Sequence, residues 1–312
     1  MTISRKKFRW WLFDVIIPAI LAAGLLMFIF DERERLRPII EFSKLEVLFV
    51  AVLTLVTSYL NSLQFFILYR VVGARVDEHW ALYIAGQAAN HLPGQLGTAY
   101  RFRYLSRVHN LSYADAAVAY GLNFVISVGG TGVVGVIGCI GLGVQKGTWS
   151  IGLVIVLVAL ILVAGLAVVV PTVEYARSGP ISAVWTRFRR AWNRGAASSV
   201  TVKRVLALEV IRYGFGALRL YIAFRWLGFD EPYFFFLIIA PIAGLATFVA
   251  ITPAGLGVRE LAIAAAVVSL GRPFESGLIG SSADRVVTTA VILLVGTPTF
   301  LYTNHKLRCA NR

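Results

Sequence analysis

Apolar runs separated by short charged connections set the pattern of this chain. Six runs are long enough to cross ~30 Å of hydrocarbon at ~1.5 Å of helical rise per residue: Trp11 to Phe30, Leu45 to Tyr69, Tyr113 to Gly143, Trp149 to Pro171, Val205 to Leu227 and Ser276 to Tyr302. Between the second and third runs the pattern shortens. Trp80 to Leu92 is apolar apart from residues such as Gln87, Asn90 and His91, a break follows at Leu92-Pro93-Gly94-Gln95-Leu96-Gly97, and a basic arm runs from Gly97 to Arg107. Neither arm spans a bilayer, so the pair is expected to enter the membrane and leave on the same side. A second copy lies 160 positions on. There the arm Tyr233 to Ile251, long enough by itself to cross, meets Thr252-Pro253-Ala254-Gly255-Leu256-Gly257, and the chain returns through Leu270 over ~21 Å, too short to cross, so the pair is read as re-entrant by analogy with the first.

The recurring Pro-x-x-Leu-Gly string therefore marks a duplicated helix break. Each half reads as two spans, one hairpin and one span, and an odd number of crossings inverts the second half relative to the first. The expected fold is all-α and integral to the membrane, with six transmembrane helices, two re-entrant helical hairpins and an inverted repeat. A single polytopic domain covers 1–312, with halves at about 1–148 and 149–312 and a connecting linker at about 172–203. In that linker Trp185, Phe188 and Trp192 alternate with Arg187, Arg189, Arg190 and Arg194, as in an amphipathic helix lying on anionic headgroups. Gly129, Gly132, Gly135, Gly138 and Gly141 give the third span a smooth ridge for close helix packing.

Composition agrees with the spans. Hydrophobic residues make up 58% of the 312 positions and charged residues 15%, against ~25% in an ordinary soluble domain. A net charge of +14 in a soluble protein would suggest nucleic acid, but here the placement of the basic residues accounts for it. With the N-terminus inside, 19 of the 30 Lys and Arg residues fall in cytoplasmic segments, which satisfies the positive-inside rule and places both termini in the cytoplasm of a cytoplasmic (inner) membrane protein. Arg5, Lys6, Lys7 and Arg9 precede the first apolar run without a small-x-small cleavage site after it, so that run reads as an uncleaved anchor. Cys139 and Cys309 fall at opposite faces in this topology and are not expected to pair.

Polar groups that the bilayer makes costly are the candidates for function. Arg219 lies near the middle of the fifth span. Arg212 and Glu209 precede it on the same face, and Arg212 sits close enough to the span's end to snorkel. The second hairpin adds Arg259 and Glu260 just after its break, and the last span adds Asp284 and Arg285. A helix beginning at Gly257 is expected to aim free N–H groups at the midplane, with Arg259 reinforcing that field. The equivalent helix begins at Gly97 with Arg101 one turn on. The candidate substrate-binding set is Gln87, Asn90, Pro93, Gly97, Arg101, Arg219, Pro253, Gly255, Gly257, Arg259, Glu260, Asp284 and Arg285. A Glu260–Arg285 pair that merely holds the hairpin is the competing reading.

The Leu-Pro-Gly-x-x-Gly break, the Pro-Ala-Gly-Leu-Gly-Val-Arg-Glu run from Pro253 to Glu260 and the helix of Arg285 resemble the lysylphosphatidylglycerol synthase transmembrane-region family, also called flippase-like. The resemblance covers nearly the whole chain. It implies a bacterial or archaeal polytopic protein of a kind whose best-understood members move a modified anionic phospholipid between leaflets. Those members carry a soluble C-terminal aminoacyltransferase domain, which is expected to be absent here because the chain ends ten residues after Tyr302. Many relatives also place a Glu-Arg pair in the helix after the first hairpin, where this chain has Gly121, Leu122 and Asn123.

The function expected is a lipid translocase that moves an anionic phospholipid or lipid-linked headgroup between leaflets, without a cofactor, a metal or nucleic acid. Two other classes stay open: a membrane-embedded lipid- or polyprenyl-dependent transferase, and an accessory subunit of a lipid-processing complex. A metal-dependent transferase wants clustered carboxylates. Asp31-Glu32 and Asp230-Glu231 are instead adjacent pairs in connections, and no His-Glu-x-x-His, Gly-x-x-x-x-Gly-Lys or Cys/His cluster occurs. The sequence also leaves open a homo-oligomer or a lipid-synthesis partner.

Overall fold

The computed structural model describes residues 44–69, 74–92, 95–147, 149–169, 192–193, 199–249, 255 and 257–310. The expected first span, Pro93, Pro253 and most of the 172–203 linker lie outside these residues. Among the described residues the architecture is all-α and multi-pass: α1 (Lys44–Tyr69), α2 (Val76–Ala89), α3 (Leu96–Val108), α4 (Tyr113–Lys146), α5 (Ile151–Val169), α6 (Ser199–Arg225), α7 (Tyr233–Val249), α8 (Val258–Ser269) and α9 (Phe274–Cys309). By length and composition α1, α4, α5 and α9 can each cross a membrane. Helix α6 is 27 residues long but carries Glu209, Arg212 and Arg219. Helix α7 is described over 17 residues, or ~25 Å.

The short helices form two antiparallel pairs whose open ends are tied to opposite ends of α9. At the start of α2, Glu78 accepts from Tyr104 near the end of α3 at 2.5 Å and lies 3.5 Å from both His109 and Lys306, the latter in the last turn of α9. At the other pair, Glu231 just before α7 accepts from Arg272 just after α8 at 2.6 Å and from Lys146 at the end of α4 at 2.7 Å. Arg272 stands two residues before the start of α9. Small residues let the pairs press against that helix: Gly296 faces Ala88 and Ile84 of α2, and Gly277 faces Ala264 of α8.

The glycine ridge of α4 is a packing surface. Gly129, Gly132 and Gly135 receive Ala164, Ile161 and Leu157 of α5, while Gly138 and Gly141 receive Ile238 and Phe234 of α7. The outer side of α5 stays open, with Ile155, Leu162, Val163 and Leu166 exposed, as suits a helix against lipid. Trp192 departs from the expected interfacial position. It is buried in an apolar cluster, with its ring beside Gly121.

Two apolar cores stack along the molecule. One gathers Phe65, Tyr83, Tyr104, Leu122 and Phe300, and the other Val134, Tyr213, Phe224, Phe236 and Ile263. Along α4 the gap between them falls at Ser127 and Thr131, and along α6 at Glu209 and Arg212. That gap is where the polar groups collect.

Candidate functional site

A cavity of about 310 Å³ occupies this gap. Its depth can be read from α1, where Thr57 lies midway along the 26 residues and lines the cavity beside Thr54, Ser58 and Asn61. These polar positions recur every three or four residues, so they form one stripe on an otherwise apolar helix. Five arginines reach the wall: Arg101, Arg212, Arg219, Arg259 and Arg285. Among the described residues no Asp or Glu lines it, and the carboxylates stand behind the arginines.

Asp284 on α9 is fully buried and serves two helices at once. Its Oδ1 accepts from Arg219 Nε at 2.7 Å, its Oδ2 accepts from Arg259 Nη2 at 2.6 Å, and Arg219 Nη1 extends to Thr57 Oγ1 at 3.5 Å. One carboxylate between two guanidiniums leaves one positive charge. Arg285 Nη1 donates to Glu260 Oε1 at 2.6 Å, so the expected hairpin-holding pair is present, and Arg285 also reaches the cavity. Arg212 does not snorkel. Its Nε and Nη2 bind both oxygens of buried Glu209 at 2.7 and 2.5 Å, and Gln64 Nε2 donates to the same carboxylate at 2.6 Å. A fork-to-carboxylate pair satisfies more of a buried guanidinium than partial hydration at the membrane surface would.

Side chains cap some of the N–H groups at the helix starts next to the breaks. Asn90 Oδ1 accepts from Gly97 N at 2.9 Å and Thr98 N at 3.3 Å, capping α3 from across the break, and Glu260 Oε2 accepts from Gly257 N at 2.8 Å. The two glycines also differ in what they are needed for. A Cβ on Gly97 would stand 1.7 Å from the Gly86 carbonyl oxygen, so this glycine permits backbone contact between α2 and α3. Gly257 has open space around it but a φ of 80°, which favours a residue without Cβ.

Of the sequence-predicted set, Gln87, Asn90, Arg101, Arg219, Gly255, Arg259 and Arg285 line the cavity. Asp284 and Glu260 hold its arginines from behind. Gly97 and Gly257 shape the breaks. Gln87 takes a hydrogen bond from Ser58 at 3.0 Å and gives one to Tyr83 at 3.1 Å. The polar stripe of α1 and Arg212 were absent from that set, and the spacing of Thr54, Ser58 and Asn61 is the signal that would have found the stripe. Among the described residues no three His, Cys, Asp or Glu side chains are grouped to hold a metal ion.

The chain matches the family model of the lysylphosphatidylglycerol synthase TM region over residues 15–296. No curated protein matches it. A flippase-like, membrane-embedded lipid-transport function fits this membrane-region family and the helical architecture, and a transporter-like assignment fits them as well. With the match spanning nearly the whole chain, the protein belongs to the lysylphosphatidylglycerol synthase TM-region family.

Proposed function

We propose that this protein moves an anionic phospholipid between the leaflets of a cytoplasmic membrane, with the phosphate passing through the arginine-walled cavity while the acyl chains stay in the bilayer. The observation that carries the reading is the wall itself: among the described residues five arginines face the cavity and every carboxylate paired with them lies behind. Moving an unaccompanied phosphate across hydrocarbon costs many kcal/mol, and fixed guanidiniums at mid-depth offset much of that cost. About 310 Å³ is at the small end of ligand sites and suits a headgroup rather than a whole lipid.

In this proposal the two helix pairs are re-entrant hairpins from opposite faces, each half of the chain is one unit of an inverted repeat, and both termini are cytoplasmic. Ties of the two pairs to opposite ends of α9 support that arrangement. Labelling in a background without Cys139 and Cys309 tests the orientation: Arg177→Cys and Arg308→Cys should react from the cytoplasm and Lys146→Cys from outside. Outside labelling at 308 would rule it out. Transport is tested by reconstitution with a panel of headgroup-labelled lipids and a leaflet-accessibility assay. Anionic lipids should exchange faster than in protein-free vesicles, and equal rates would refute the proposal.

A further inference from the structure

Four of the five cavity arginines face a carboxylate. Arg101 does not. It is 6% exposed and lines the cavity, its Nη2 donates to Thr98 Oγ1 at 3.3 Å, and among the described residues its Nε and Nη1 have no partner. Packing fixes it in place. Phe65 and Tyr83 each put a ring centroid 5.1 Å from its guanidinium carbon, and its stem crosses α2 at Gly86, where a Cβ would stand 2.9 Å from its Cγ and Cδ. Aromatic contact of this kind compensates a cation by about 0.5–2 kcal/mol, well below the cost of burying one without a counter-ion. The nearby N–H groups of α3 add no call for an anion, because Asn90 already satisfies them.

We infer that Arg101 is a separate anion seat, built into the first helix pair and distinct from the ion-paired arginines, and that it takes the oxyanion of a phosphate group. A guanidinium held by its surroundings with two nitrogens unfilled matches an acceptor with several oxygens around one centre. The Asp284 cluster also retains one positive charge, so the cavity holds two cationic centres, one associated with each helix pair. A phosphate released from one meets the other without first becoming an isolated ion. The seat rests on the proposed lipid path for the source of its ligand, while its existence rests on the surroundings of Arg101.

The test uses the full chain in an uncharged detergent, titrated with dihexanoyl-phosphatidylglycerol, with inorganic phosphate and with dihexanoylglycerol as the uncharged control. Binding is followed by ³¹P line broadening for the two phosphates and by thermal shift for all three. Arg101→Gln should weaken short-chain phosphatidylglycerol binding about tenfold or more, with no change for dihexanoylglycerol. Its melting temperature without ligand should not fall below that of the wild type, since the variant removes an uncompensated buried charge. Arg101-dependent binding of inorganic phosphate alone would uphold the seat but assign it to free phosphate, and so count against the lipid path. Unaltered affinity of Arg101→Gln for both phosphate ligands would overturn the seat, even if the wild type moves lipid in vesicles. Should Arg101→Gln fail to fold, Arg101→Lys decides: a several-fold loss is expected because the point charge survives without the planar donors, and unchanged affinity would overturn the seat.

Discussion

In the first helix pair a neutral side chain holds the bend: Asn90 caps α3 from across the break, and α2 and α3 meet backbone to backbone at Gly86 and Gly97. In the second pair the bend is held by charge. Glu260 folds back onto the Gly257 N–H while its other oxygen takes Arg285, and Arg259 shares Asp284 with Arg219 on α6. The same Pro-x-x-Leu-Gly string thus supports two kinds of joint. Among the described residues neutral packing leaves the cation of the first pair uncompensated, whereas the cations of the second are tied to α9 and serve stability as well as any ligand.

The largest expected effect is at the shared carboxylate. Asp284→Asn removes the counter-charge of two buried arginines and should destabilise the protein by about 3–5 kcal/mol, seen as a marked fall in melting temperature in detergent. A neutral result would mean that water or lipid already compensates Arg219 and Arg259. Next comes Gly97→Ala, where even a methyl group meets the Gly86 carbonyl; about 1–3 kcal/mol or more is expected because the arms must part. Gly257→Ala meets nothing within 4 Å and pays the left-handed backbone alone, about 1–2 kcal/mol. If Gly257→Ala proved the costlier of the two, the distinction between a steric and a conformational glycine would fail. Asn90→Ala should cost about 1 kcal/mol, the loss of a helix cap, with hydrogen exchange rising first at Gly97 and Thr98.

Much of the framework was legible because hydrocarbon thickness constrains helix length. The expected span Tyr113 to Gly143 became α4, ending at Lys146, and the expected arms reappear as α2, α3, α7 and α8 within a few residues. Both breaks announced themselves through Pro and Gly. Side-chain partnerships were far less accessible. Arg219 meets Asp284 from 65 positions away, and which face of α6 turns toward α9 depends on packing against α1 and α7 rather than on local spacing. Glu260 with Arg285 was anticipated, since the hairpin's return arm had to lie beside the last helix. The lone state of Arg101 was not, because it depends on what is missing around it. The capping of Gly97 by Asn90 was hidden too, since a side chain seven positions back becomes a cap only when the chain turns between them.

The central claim is that the arginine wall carries phosphate, and Arg259→Gln in proteoliposomes tests it most directly. Asp284 keeps Arg219 in this variant, so the melting temperature should stay close to that of the wild type. Leaflet exchange of headgroup-labelled phosphatidylglycerol should slow, exchange of zwitterionic phosphatidylcholine should slow less, and Arg259→Lys should retain part of the anionic rate because the point charge survives. Equal loss for anionic and zwitterionic lipids, together with a large fall in melting temperature, would contradict the account and leave Arg259 as a structural residue.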